Sequence, residues 1–127
     1  MSANTILYVE DNAVNRRLVR DLLRHTTYKL IEADDGEAGV AKALEMQPNL
    51  ILMDIQLPKM SGLEAMRRLR ANPVTAATPI VAITSFALSG DDQKAKDAGA
   101  TAYLAKPYSP RDLLALIRKL APEALDR

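Results

Sequence analysis

The chain has 127 residues, 48% of them hydrophobic, which suits one compact domain with a sizeable core and little room for a second. Lys and Arg number 17 against 16 Asp and Glu, so no net field draws the protein to nucleic acid or to a membrane surface. Without cysteine there is no disulfide framework or thiolate metal site, and no apolar run approaches the ~20 residues of a membrane span.

The first residues, Met1 to Asn4, carry no charged and apolar leader, and a cytoplasmic protein is expected. Thr5-Ile6-Leu7-Tyr8-Val9 is a β-rich run ending at Glu10-Asp11. From Asn12 the period becomes helical, with Val14, Leu18, Val19, Leu22 and Leu23 on one stripe and Arg16, Arg17, Arg20 and Arg24 on the other side. His25, the single histidine, reads as a solvated residue late in this helix. Tyr28 to Ala33 is a second strand. Asp34-Asp35-Gly36 then caps a helix carrying Val40, Ala41 and Leu44.

Leu50-Ile51-Leu52-Met53, between Pro48 and Pro58, has the unbroken apolar pattern of a central parallel strand, and it stops at Asp54. Ser61-Gly62-Leu63-Glu64 makes a capping box for a helix with Leu63, Met66 and Leu69 inward, ending near Asn72-Pro73. Pro79 opens a fourth strand, Ile80 to Ile83, that ends at Thr84. Ser89-Gly90-Asp91-Asp92 caps a short helix, roughly Asp91 to Ala98, which Gly99 terminates. Its only apolar residues are Ala95 and Ala98, so it buries little area. Thr101 to Leu104 is the fifth strand and leads to Lys106-Pro107. Ser109-Pro110-Arg111-Asp112 starts the last helix, whose apolar face is Leu113, Leu114, Leu116, Ile117 and Leu120.

Five strand–helix units with long crossovers predict a doubly wound parallel α/β sheet with helices on both faces. Strand order 2-1-3-4-5, the flavodoxin-like three-layer sandwich, fits best. One domain spans 1–127, with its core at about 5–120. In that order the contiguous first, third, fourth and fifth strands end in Glu10-Asp11, Asp54, Thr84 and Lys106, whereas the edge strand ends in Ala33.

An isolated Asp54 would read as a cap or a salt-bridge anchor. Three carboxylates converging in one crevice repel one another unless a cation joins them, and all-oxygen ligands suit magnesium, with manganese also possible. Lys106 adds an ammonium and Thr84 a hydroxyl. A metal, an ammonium and a hydroxyl around a carboxylate suit a transferring phosphoryl group, with Asp54 as the nucleophile.

Glu10-Asp11, Asp54, Thr84 and Lys106-Pro107 together resemble the receiver domain of two-component response regulators, the CheY-like superfamily, over essentially the whole chain. Asp54-Ile55-Gln56-Leu57-Pro58 with Met60-Ser61-Gly62, and later Thr84-Ser85-Phe86-Ala87 and Gly90-Asp91, are similar to stand-alone cell-division-control receivers of the DivK type. The resemblance implies autocatalytic transfer of a phosphoryl group to Asp54 from a histidine kinase or histidine phosphotransfer protein. It implies that Asp11, Asp54 and the backbone carbonyl of Gln56 hold magnesium, with Glu10 acting through water. Lys106 and Thr84 would grip the phosphoryl oxygens, and Tyr103 would move inward behind Thr84. The Lys106–Pro107 bond would be cis. Gln56 and Phe86 would flank the path of attacking water, and the first helix would serve donor docking through Arg16, Arg17 and Arg20.

Ser85 departs from the family's usual Ala but stays small. After the last helix only Ala121 to Arg127 remain, so output through contact with a downstream protein is expected. Two other readings use the same fold: a phosphorylation-independent binding module, which the intact acidic set disfavours, and a receiver excised from a hybrid histidine kinase. A haloacid-dehalogenase-like phosphatase wants a second Asp two residues after the nucleophile, where this chain has Gln56.

Overall fold

The computed structural model describes residues 4–84 and 91–123. Strands and helices alternate: β1 (Thr5–Val9), α1 (Ala13–Leu23), β2 (Lys29–Ala33), α2 (Gly36–Met46), β3 (Leu50–Asp54), α3 (Gly62–Ala71), β4 (Ile80–Thr84), α4 (Asp91–Ala98), β5 (Ala102–Ala105) and α5 (Pro110–Leu120). All strand pairs are parallel, in the order β2-β1-β3-β4-β5. This is the doubly wound, flavodoxin-like sandwich expected from the alternating periods.

Side chains of successive strand residues leave on opposite faces, and that alternation builds two cores. Leu7, Val9, Ile51, Met53, Ile80 and Ala82 meet Ala43, Ala65, Met66, Leu69, Ala95 and Ala98 from α2, α3 and α4. Ile6, Tyr8, Leu50, Leu52, Val81 and Ile83 meet Val19, Leu23, Leu113 and Ile117 from α1 and α5. β3 and β4 are buried along their whole length, as befits central parallel strands.

Four helices begin on a side-chain cap that satisfies an orphan amide of the first turn. Asn12 accepts from Asn15 N, Asp35 from Ala38 N, Ser61 from Glu64 N and Ser109 from Asp112 N. Gly99 ends α4 at φ 110°, a left-handed conformation that favours glycine. The expected cap at Ser89-Gly90 lies outside the described residues.

Two helix faces differ from the periodicity. In α2 the buried positions are Gly36, Gly39 and Ala43, while Ala41 is exposed and Val40 and Leu44 are half-buried. A Cβ on Gly39 would lie 2.7 Å from Val9 Cγ2, so small residues let this helix lie close against β1. In α1 the stripe splits: Val19 and Leu23 are buried, whereas Val14 and Leu18 are 67% and 61% exposed. α1 ends at Leu23, leaving His25 exposed just beyond it. β5 lies one residue later than expected, because the Thr101 hydroxyl accepts from Ile80 N at 3.1 Å before the strand begins.

Candidate active site

The strand ends bring the predicted polar residues to one edge of the sheet. Asp54 is the last residue of β3, which runs between β1 and β4. Glu10 follows β1, its amide still paired to Ala33 O at 2.9 Å; Thr84 closes β4, and its carbonyl accepts from Lys106 N at 2.7 Å. The Lys106–Pro107 bond is cis, as the resemblance implied. The chain leaving Asp54 folds back over it, with Gly62 N bonded to Ile55 O at 2.9 Å. A Cβ on Gly62 would come within 2.1 Å of the Asp54 carbonyl oxygen, so only glycine permits this approach.

The side chains interlock. Lys106 Nζ donates to Glu10 Oε1 at 2.6 Å and reaches Asp54 Oδ2 at 3.4 Å. Glu10 Oε1 also accepts from the Tyr8 hydroxyl at 3.1 Å and from Asn15 Nδ2 at 3.3 Å, and Oε2 accepts from Asn12 N at 3.2 Å. Asp54 Oδ1 accepts from Gln56 N at 2.9 Å. Gln56 Nε2 donates to Thr84 Oγ1 at 2.8 Å, a contact across 28 residues. Glu10, Asp54 and Thr84 are buried; Asp11 is exposed at the mouth.

Burial, then the neighbouring Glu10 carboxyl, pushes Asp54 up to about 7; Lys106 and the Gln56 amide oppose the rise. Burial also works against a charged Glu10, but bonds from Lys106, Asp54 and the Asn12 amide outweigh it and hold this carboxyl below its ordinary value. Lys106 is desolvated, yet Glu10 and Asp54 raise its pKa and keep it cationic. Burial, then the fields of Tyr108 and Glu10, raises the Tyr8 phenol, which therefore stays a donor.

Among the described residues, Glu10, Asp11 and Asp54 offer carboxylate oxygens that all lie within 4.8 Å of one another. One ammonium does not neutralise three carboxylates, and after burial it is the Glu10 carboxyl that pushes Asp54 up. Hard oxygen donors around an unbalanced negative charge fit a divalent cation.

Of the other predicted residues, Tyr103 is half-buried and packs against the core beneath α2, α3 and α4. Phe86 and Ser85 lie outside the described residues. The expected arginine face of α1 is partly engaged within the chain. Arg16 Nη1 donates to Glu10 O at 2.7 Å, and Arg20 makes a two-pronged pair with Glu32 at 2.8 and 2.9 Å. Beside Lys106 there is instead an apolar groove of about 410 Å³ between α1 and α5, lined in part by Leu18, Leu22, Pro107, Tyr108 and Pro110. Tyr8 and Asn15 escaped the sequence reading as site residues, as did the contact from Gln56 to Thr84. Only Tyr8 carried a signal, standing two residues before Glu10 and hence on the same strand face.

The response regulator receiver domain model matches residues 6–118. The polar-differentiation response regulator DivK of Brucella anthropi is 37% identical over 120 residues, covering 94% of this chain and 98% of its own. The receiver domain of sensor histidine kinase PA1611 from Pseudomonas aeruginosa, with a magnesium ion in its active-site cleft, superposes with TM-score 0.85 at 36% identity. It covers 92% of this chain and 96% of its own. The manganese-bound response regulator Rcp1 gives TM-score 0.77 at 31% identity, covering 98% and 99%.

Proposed function

The chain belongs to the response regulator receiver domain family, and on that premise we propose that Asp54 accepts a phosphoryl group from a phosphohistidine. Receivers of two-component systems are signalling switches. For this chain the donor is a histidine kinase or a histidine phosphotransfer protein, and the readout is contact with a downstream protein in the cytoplasm. The observation that carries the reading is the placement of Lys106. Its ammonium bridges Glu10 and Asp54, where a phosphoryl oxygen added to Asp54 requires a cation.

In the reaction a carboxylate oxygen of Asp54 attacks phosphorus in line with the bond to the donor imidazole nitrogen. The P–N bond breaks, that nitrogen keeps the electron pair, the imidazole leaves neutral with its proton on the other ring nitrogen, and an acyl phosphate remains. The Gln56 amide holds Asp54 Oδ1 and so fixes the carboxylate plane. Lys106 turns from Glu10 toward the new phosphoryl oxygens, and the Thr84 hydroxyl exchanges its Gln56 contact for one of them. Asp11, Asp54 and the Gln56 carbonyl would hold Mg2+, or Mn2+, with Glu10 acting through water, and when bound the ion would supply positive charge for the transferring group.

Incubation with acetyl phosphate and Mg2+, followed by Phos-tag electrophoresis, tests the assignment. Wild-type protein is expected to shift, and Asp54→Asn to show no shifted band. Normal labelling of Asp54→Asn overturns the assignment. Residues 1–127 are read as one stand-alone receiver with a core at about 5–120, supported by a match that spans 98% of DivK. A receiver from a hybrid kinase is the second reading, favoured by the 36% identity to the PA1611 receiver.

A further inference from the structure

Tyr8 is a fully buried phenol in the core between the sheet and α1 and α5. Its register partners are Glu32 of β2 and Leu52 of β3, so its backbone is locked on both sides in the sheet. A hydroxyl in an apolar core is costly unless bonded. A Phe of the same shape would fill the space without that demand. The Tyr8 hydroxyl reaches Glu10 Oε1 at 3.1 Å. Residues i and i+2 of an extended chain share a face, so the ring stands behind the carboxylate on the core side.

Glu10 Oε1 has three donors: Lys106 Nζ, the Tyr8 hydroxyl and Asn15 Nδ2. Lys106 is the one that must leave if it is to hold a phosphoryl oxygen. Asn15 belongs to the first turn of α1 and makes the longest of the three contacts, 3.3 Å. Tyr8 alone is rooted in the sheet. We propose that Tyr8 is a positioning residue whose hydroxyl holds the Glu10 carboxylate in the orientation that serves the divalent-cation site. It keeps Glu10 there when Lys106 turns away. This inference rests on the phosphoacceptor reading and deepens it by adding a residue outside the acidic set.

Partners behind a metal ligand commonly tune affinity by about 10–100-fold, and Glu10 acts through water, so a smaller effect is expected. Titrating Mg2+ into the metal-free protein by amide chemical shifts should show Tyr8→Phe raising the Kd by about five-fold or more. Tyr28→Phe is the control, because it too removes a buried hydroxyl bond, to Ala121 O at 2.5 Å, far along the chain from the acidic set. Its Mg2+ Kd should stay within about two-fold of wild type. In acetyl phosphate labelling, the Mg2+ concentration for half-maximal rate should rise for Tyr8→Phe, with the rate at saturating Mg2+ within about two-fold of wild type. An unchanged Kd in folded Tyr8→Phe, an equal rise in Tyr28→Phe, or a rate that saturating Mg2+ does not restore overturns the inference. If Tyr8→Phe does not fold, the ring ζ-carbon resonances of 13C-tyrosine wild-type protein decide. The Tyr8 signal should move on Mg2+ saturation and that of Tyr28 should not; a stationary Tyr8 signal overturns the proposal. Wild-type protein that binds no Mg2+ would sink the functional reading itself, a result distinct from all of these.

Discussion

Asp54 is held in a conflict that its chemistry can use. Its folded pKa, about 7, lies far above the ordinary value of about 3.9. Between those values the folded chain keeps a proton that the unfolded chain has lost. Stability from this group therefore falls as pH rises from about 4 to about 7, and the loss is complete above that. Glu10, beside it, is depressed by its bonds to Lys106, Asp54 and the Asn12 amide and works in the opposite sense, adding stability that disappears as pH falls through the lower end of the carboxylate range. Asn at position 54 keeps the size and the acceptor for Gln56 N but cannot ionise, and Lys106 retains Glu10 at 2.6 Å. Metal-free Asp54→Asn is thus expected to melt about 3–5 °C above wild type at pH 8, on the order of 1 kcal/mol, with the gap shrinking at pH 5. Calorimetry at both values checks this, and equal melting points at pH 8 would show that the charge costs the fold nothing.

At the scale of elements, α4 is held to the sheet by small side chains and Arg70 is its tether. Of its described side chains only Ala95 and Ala98 are buried, and alanines bury little area. Arg70, from α3, donates to Gly99 O at 2.9 Å, to the carbonyls of Thr75, Ala76 and Thr78 at 3.3, 3.1 and 2.6 Å, and to Thr101 Oγ1 at 3.3 Å. It thereby joins the end of α4, the start of β5 and the connection from α3 to β4. Burial lowers its pKa, and the carbonyls offset that desolvation. Arg70→Met keeps the aliphatic stem but removes those charge-assisted bonds, of which the part-buried ones to Gly99 O, Thr75 O and Thr78 O matter most, a bond to a charged group contributing about 1.5–3 kcal/mol. The expected outcome is lower urea stability by roughly 2 kcal/mol together with faster amide exchange across residues 97–103. Unchanged exchange there would mean that the α4 turn holds without the guanidinium.

For the molecule as a whole, the two faces of the sheet have different duties. The α1 and α5 side carries Tyr8, the support of Glu10, exposed Val14, and an exposed Leu18 lining the groove beside Lys106. The opposite side carries the lightly packed α4, with Tyr103 on the neighbouring strand. Drawing the Thr84 hydroxyl toward a phosphoryl oxygen would vacate space that the Tyr103 ring can fill, biasing an element that moves at small cost. Hydrogen exchange with and without beryllofluoride, a mimic of the acyl phosphate, is expected to differ across residues 91–108. Differences confined to residues 12–25 would count against this coupling.

The order of elements was legible because its signals are local. Apolar runs bounded by Pro48, Pro58 and Pro79, and caps at Asp35, Ser61 and Ser109, act over a few residues and need no partner strand. Crossover handedness called for a parallel sheet with helices on both faces; the order 2-1-3-4-5 was taken from the known doubly wound fold, and with it came the gathering of Glu10, Asp11, Asp54, Thr84 and Lys106 at one edge. Which faces and atoms meet depends on distances that no local pattern encodes. The close approach at Gly39 moved the buried face of α2 to Gly36, Gly39 and Ala43, and the seating of α1 left Val14 and Leu18 in solvent. The bonds from Gln56 to Thr84 and from Lys106 to Glu10 Oε1 join residues 28 and 96 positions apart, brought together by register between neighbouring strands. The residues at the site were set by sequence; their hydrogen-bond partners were decided by tertiary structure, because a side chain bonds to whatever the neighbouring strand places within about 3 Å of it.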